Sequence, residues 1–86
     1  MYFVELSQRA HNFLEKLDFS TKERIETTLK RLETNPYPSD SKFISRDGIN
    51  KVFRYRIGKF RALYSVDNER KIILVTKIDK RERVYD

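Results

Sequence analysis

The chain reads as an α+β fold in the order β-α-α-β-β-β-β: an N-terminal strand, then an antiparallel helical hairpin packed on one face of a small, mainly antiparallel sheet of four to five strands. Three observations carry this reading. Apolar residues recur at helical spacing between Ser7 and Leu32, they alternate with polar ones between Lys51 and Val66, and glycine-containing turn signals bound the alternating runs. At 86 residues there is room for one core, so residues 1–86 are expected to form a single domain.

Residues 2–6 (Tyr-Phe-Val-Glu-Leu) are aromatic and β-branched around one charge and predict the first strand. From Ser7 the period changes: Ala10, Phe13, Leu14 and Leu17 form one helical stripe that Ser7 can cap. Ser20-Thr21-Lys22-Glu23 has the pattern of a capping box and predicts the start of a second helix, with Ile25, Leu29 and Leu32 inward and Glu26 and Lys30 paired on the wet side. Asn35-Pro36 stops that helix.

After a polar connector, Lys42–Ser45 predicts a short strand and Asp47-Gly48 a turn. Lys51–Ile57 and Phe60–Val66 are strands joined at Gly58-Lys59, and Ile72–Ile78 is a nearly all-apolar strand expected to be buried on both faces.

Composition removes several function classes. Without cysteine there is neither a disulfide framework nor a Cys-based zinc site, and one histidine, His11, makes a poor transition-metal centre; no cofactor and no metal is expected. The longest apolar run, Ile72–Val75, is far short of the roughly 20 residues that cross a bilayer. No leader pattern opens the chain, so a soluble, cytoplasmic protein without a membrane partner is expected. Six Phe and five Tyr, with two Gly and two Pro, oppose disorder despite 37% charged residues.

The net charge of +6 is unevenly placed. Residues 1–41 carry six basic and seven acidic groups, so the remaining 13 basic and six acidic groups put all of the excess in residues 42–86. Strand alternation sets Phe53, Tyr55 and Ile57 on one face and Arg54 and Arg56 on the other; in the next strand Phe60, Ala62, Tyr64 and Val66 oppose Arg61. The aromatic faces must point toward the helices, the one side that removes them from water, which gathers Arg54, Arg56 and Arg61 on the uncovered side. Clustered guanidiniums repel unless an anion relieves them, and their planar fork matches phosphate bidentately. The competing reading is a face neutralised by acidic residues or by a partner protein.

At this point the sequence resembles a known family. The segment Val52-Phe53-Arg54-Tyr55-Arg56-Ile57-Gly58-Lys59-Phe60-Arg61-Ala62-Leu63-Tyr64 and the ending Lys80-Arg81-Glu82-Arg83-Val84-Tyr85 are similar to the RelE/ParE superfamily of type II toxins, with the ending most like the RelE branch. That resemblance implies a toxin that cleaves mRNA on the ribosome by attack of a ribose 2′-hydroxyl on the adjacent phosphate, held in check by a cognate RelB-like antitoxin. It implies Arg61 as stabiliser of the scissile phosphate, Arg81 as partner of the departing 5′ oxygen and Tyr85 as the aromatic stacked on the substrate base, with Arg54 and Arg56 completing the catalytic set. Lys51, Lys59, Lys80 and Arg83 are the expected RNA-binding cations.

The resemblance implies lysine where Arg54 and Arg56 stand, and an arginine does not give up its proton. The general base is therefore open: Lys51 and Lys59 flank the patch, Asp47 and Glu82 are carboxylates near it, and His11 lies on the first helix, where it reads as a surface histidine. The alternative from a different class is a ParE-like gyrase poison, or a family member that only binds protein or RNA.

Overall fold

In the computed structural model, which describes residues 1–80, the chain runs β1 (Phe3–Leu6), α1 (Gln8–Glu15), α2 (Phe19–Lys30), a 3-10 turn (Arg31–Glu33), β2 (Ser41–Asp47), β3 (Asn50–Ile57), β4 (Phe60–Asp67) and β5 (Ile72–Lys80). The strands form one sheet in the order β1-β5-β4-β3-β2. The last four strands are an antiparallel meander, and β5 returns beside β1 in parallel, with Val4 opposite Ile73 and Leu6 opposite Val75. Parallel neighbours need a long crossover, and here the helical hairpin and the meander together supply it.

One face of the sheet is covered and the other is open. Ala10 and Leu14 of α1, Ile25 and Leu29 of α2, and Leu32 pack on Phe53, Tyr55, Ile57, Phe60, Ala62, Tyr64, Val66, Ile73, Val75 and Ile78. β3, β4 and β5 thus turn most of their aromatic and β-branched residues toward the helices, as period-two alternation requires.

Ser7 caps α1 by accepting from the Ala10 amide at 3.1 Å, and its hydroxyl donates to the Thr76 carbonyl at 2.9 Å, which ties the helix start to β5 across 69 positions of sequence. The second helix begins earlier than the Ser20 box suggests: Asp18 is the N-cap and accepts from the Thr21 amide at 3.0 Å. An ionised carboxylate is the stronger acceptor for an orphan amide, so it takes the cap that Ser20 was expected to fill. Glu26 and Lys30 do not pair; instead Lys22 bonds Glu15 across the interhelical turn and holds the Glu15 carboxyl below the usual range.

The strand expectations hold in type and shift in extent. β2 reaches Asp47 and carries a bulge at Ile44, and β5 runs two residues past Ile78. Burial of β5 on both faces is not found. Ile73, Val75 and Ile78 are buried, while Leu74, Thr76 and Asp79 are only half-covered, because both helices lie on the same side. The apolar content of β5 reflects its position between β1 and β4, and Leu63 and Leu74 stay half-covered on the open face.

The connector between helix and sheet is fixed by one tyrosine. Tyr64 has no exposed surface, its hydroxyl donates to the Pro36 carbonyl at 2.7 Å, and its ring stacks on Phe53 with centroids 5.5 Å apart. Tyr37 closes over the same Phe53 ring at 5.2 Å. Burial pushes the Tyr64 phenol up from its ordinary value to about 12. Because the folded value lies above the unfolded one, the stabilisation is complete below pH 10.0 and is lost as the pH rises toward about 12. Denaturant midpoints are expected to fall over that window, and Tyr64→Phe is expected to reduce the fall while costing roughly 1–2 kcal/mol at neutral pH through the orphaned Pro36 carbonyl.

Candidate active site on the open face of the sheet

The register decides which charges meet. Arg56 of β3 stands directly opposite Arg61 of β4, and Lys42 of β2 stands directly opposite Arg54. Directly opposed residues have Cβ atoms about 5 Å apart, so two like-charged pairs lie in adjacent rows of one face. Together with Ser39 and Asp40, these four cations line a cavity of about 180 Å³. Neither Arg54 nor Arg56 makes an ion pair with a described residue.

Arg54, Arg56 and Arg61 are thus brought together, and sequence patterning was sufficient to find them. Lys42, Ser39 and Asp40 were missed. Lys42 falls on the open face by simple alternation from Phe43, which opposes Phe53 on the core side. Ser39 and Asp40 carry no periodic signal because they sit in the connector. Their position comes from three bonds: the Ser41 amide and hydroxyl both donate to the Pro38 carbonyl, and the Arg56 amide donates to the Asp40 carbonyl at 3.2 Å.

Two carboxylates border the cluster. Asp40 lines the cavity, and Asp79 opposes Arg61 from β5. Four cations against one carboxylate still leave the cavity strongly positive, a field that draws phosphate inward.

Lys59, in the β3–β4 turn, and Lys80, opposite Phe60, lie at the same end of the sheet as Arg56 and Arg61. Lys51 does not join them. It alternates with Phe53 on the helix side, five residues and therefore about 16 Å along the strand from Arg56. Asp47 is equally remote at the far end of β2, and His11 is exposed on α1 near Glu15. Arg81, Glu82, Arg83 and Tyr85 lie outside the described residues.

A second basic groove runs between α1 and β5, lined by Arg9, Asn12, Phe13, Lys16, Lys77, Ile78 and Asp79. Arg9, Asn12 and Lys16 fall on one helical stripe, and Lys77 opposes Leu63 in the row next to Arg61 and Asp79. Cationic surface therefore extends from the arginine cavity toward the first helix.

A family model described as the ParE toxin of type II toxin-antitoxin systems matches residues 4–85. A Methanocaldococcus jannaschii protein assigned as toxin RelE1 is 37% identical over 83 residues, covering 95% of this chain and 92% of that protein. The chain belongs to the RelE/ParE toxin superfamily. The same architecture is found in the archaeal RelE–RelB complex of Pyrococcus horikoshii, where one chain superposes with a TM-score of 0.85 at 27% identity over 95% of this toxin and 97% of that chain. A chain of the RelBE2 toxin-antitoxin complex of Mycobacterium tuberculosis follows at 0.77 and 25%, covering 93% and 98%. Isolated Escherichia coli RelE, at 0.71 and 21% over 93% and 84%, shares the fold. Among the described residues of the toxin no helix is long and apolar enough to cross a membrane.

Proposed function

We propose that this toxin is a ribosome-dependent mRNA endoribonuclease that inhibits translation. The observation that carries the reading is the convergence of Arg54, Arg56, Arg61 and Lys42 on one cavity of the open face. Phosphodiester transfer to a neighbouring 2′-hydroxyl asks for three things: a phosphate held in line with the attacking oxygen, charge stabilisation on its equatorial oxygens, and a proton acceptor. The guanidiniums meet the first two, Arg61 as the principal phosphate ligand and Arg54 and Arg56 beside it, and no metal is required for either. Lys59 and Lys80 extend the contact to flanking phosphates, with Arg81, Arg83 and Tyr85 assigned by resemblance.

The partner in the cell is an antitoxin. Relatives at 27% and 25% identity were solved with RelB-type proteins, and a surface that binds phosphate binds an acidic segment equally well. The site of action is the cytoplasm, where ribosomes and mRNA are.

The second reading is a gyrase poison, and the ParE description of the matching family model favours it. One experiment separates the two. Full-length toxin is added to translating ribosomes carrying a defined message and, in parallel, to a gyrase supercoiling reaction. Codon-positioned cuts with unaffected supercoiling are expected; intact message with blocked supercoiling would reverse the assignment.

A further inference from the structure

The reading above leaves the proton acceptor unnamed, and the cavity contains one group suited to the role. Of its lining side chains, guanidinium and ammonium groups offer donors and no acceptor, and a serine hydroxyl is too weakly basic to hold a proton. Asp40 is the cavity's only carboxylate among the described residues, and an ionised carboxylate is acceptor-only. Its backbone is pinned on both sides, by the Arg56 amide on the Asp40 carbonyl and by the Pro38–Ser41 turn. The Asp40 backbone is therefore fixed beside Arg56, at the rim of the cavity that the Arg56–Arg61 row lines and where a phosphate held by those two arginines would lie.

We propose that Asp40 is a catalytic residue that accepts the 2′-hydroxyl proton of the nucleotide on the 5′ side of the scissile phosphate, an assignment that rests on the ribonuclease reading. As the proton passes to the Asp40 carboxylate, the 2′ oxygen forms a bond to phosphorus and the bond from phosphorus to the 5′ oxygen breaks. The products are a 2′,3′-cyclic phosphate and a 5′-hydroxyl, the departing oxygen taking its proton from solvent and Asp40 releasing its own to solvent afterwards. Asp40 repels the anionic substrate, but Lys42, Arg54, Arg56 and Arg61 outnumber it in the same cavity, so binding survives.

The test is single-turnover cleavage of a defined message on programmed ribosomes by the full chain, followed from acidic to mildly alkaline pH. Asp40→Asn is expected to slow cleavage about 10²–10³-fold and to remove the decline on the acid side of the profile, while ribosome binding is retained. Asp40→Glu is expected to restore most of the rate. A residue that merely positions Arg56 would slow the reaction and leave the acid-side decline in place, which overturns the proposal. Asp40→Asn cutting like the wild type while Arg61→Ala is inactive also overturns it and leaves the ribonuclease reading standing; a wild-type protein that cuts nothing overturns both. Thermal melts report whether each variant folds, and Asp40→Ser, small and polar without a carboxylate, must reproduce the loss.

Discussion

Arg61→Ala is expected to lower the rate of message cleavage by about 10²–10³-fold with little change in the melting temperature. Arg61 is half-buried on the open face beside the β3–β4 turn, with Arg56 opposite on one strand and Asp79 opposite on the other. A guanidinium held in that row is repelled by one cross-strand neighbour and attracted by the other, so the two effects on folding offset, and in the proposed reaction it would offer fixed donors to a phosphate in a partly covered cavity. Preorganised charge of this kind acts on the transition state without reorganising at the moment of reaction, and that is why its removal reads out in rate. Arg61→Lys is expected to recover only part of the loss, since an ammonium is a point charge and cannot make the bidentate contact. Single-turnover rates on programmed ribosomes, with circular dichroism melts on the same samples, check both statements.

Arg56→Gln is expected to move activity and stability in opposite directions. Cleavage falls, by about 10–100-fold if Arg56 supplies one of the donors on the phosphate. Stability rises, because the substitution removes a like charge directly opposite Arg61 while keeping most of the stem that covers the sheet. The gain is on the order of 0.2–1 kcal/mol, or a few degrees at most for a chain of this size. It should shrink as salt is added, since the repulsion is between partly exposed groups. An arginine retained for folding would behave in the reverse way, with the variant melting earlier at every ionic strength. Paired calorimetry and cleavage measurements at low and high salt therefore separate a functional cluster from a structural one.

The arginine face was legible from sequence because it depends only on period-two alternation and a tight hairpin. Gly58 takes a left-handed φ of 57° at that hairpin, so Arg56 and Arg61 are thrown into register by a turn visible in the sequence itself. The helical hairpin was legible for the matching reason, a stripe of apolar residues at helical spacing. What was not legible is long-range. The parallel return of β5 to β1 joins the ends of the chain, and no local pattern in Val4 or Ile73 announces it. The cavity wall made by Ser39 and Asp40 depends on where the connector lies, and that is set by the Tyr64 hydroxyl on Pro36 and the Tyr37 ring on Phe53. Lys51 and Asp47 lie apart from the arginines for a simpler reason: closeness in sequence does not bring them close in space, since five residues of extended strand is about 16 Å.

The most direct measurement uses two messages that differ by one atom. One is all-ribose, and the other carries a single 2′-deoxynucleotide on the 5′ side of the cut codon position; both are translated in the presence of the full-length toxin. The all-ribose message is expected to be cut to a fragment ending in a 2′,3′-cyclic phosphate, with the deoxy message left whole at that position. Equal cutting of the two, or no cutting of either while gyrase is blocked, would contradict an arginine-lined site built for attack by a neighbouring hydroxyl.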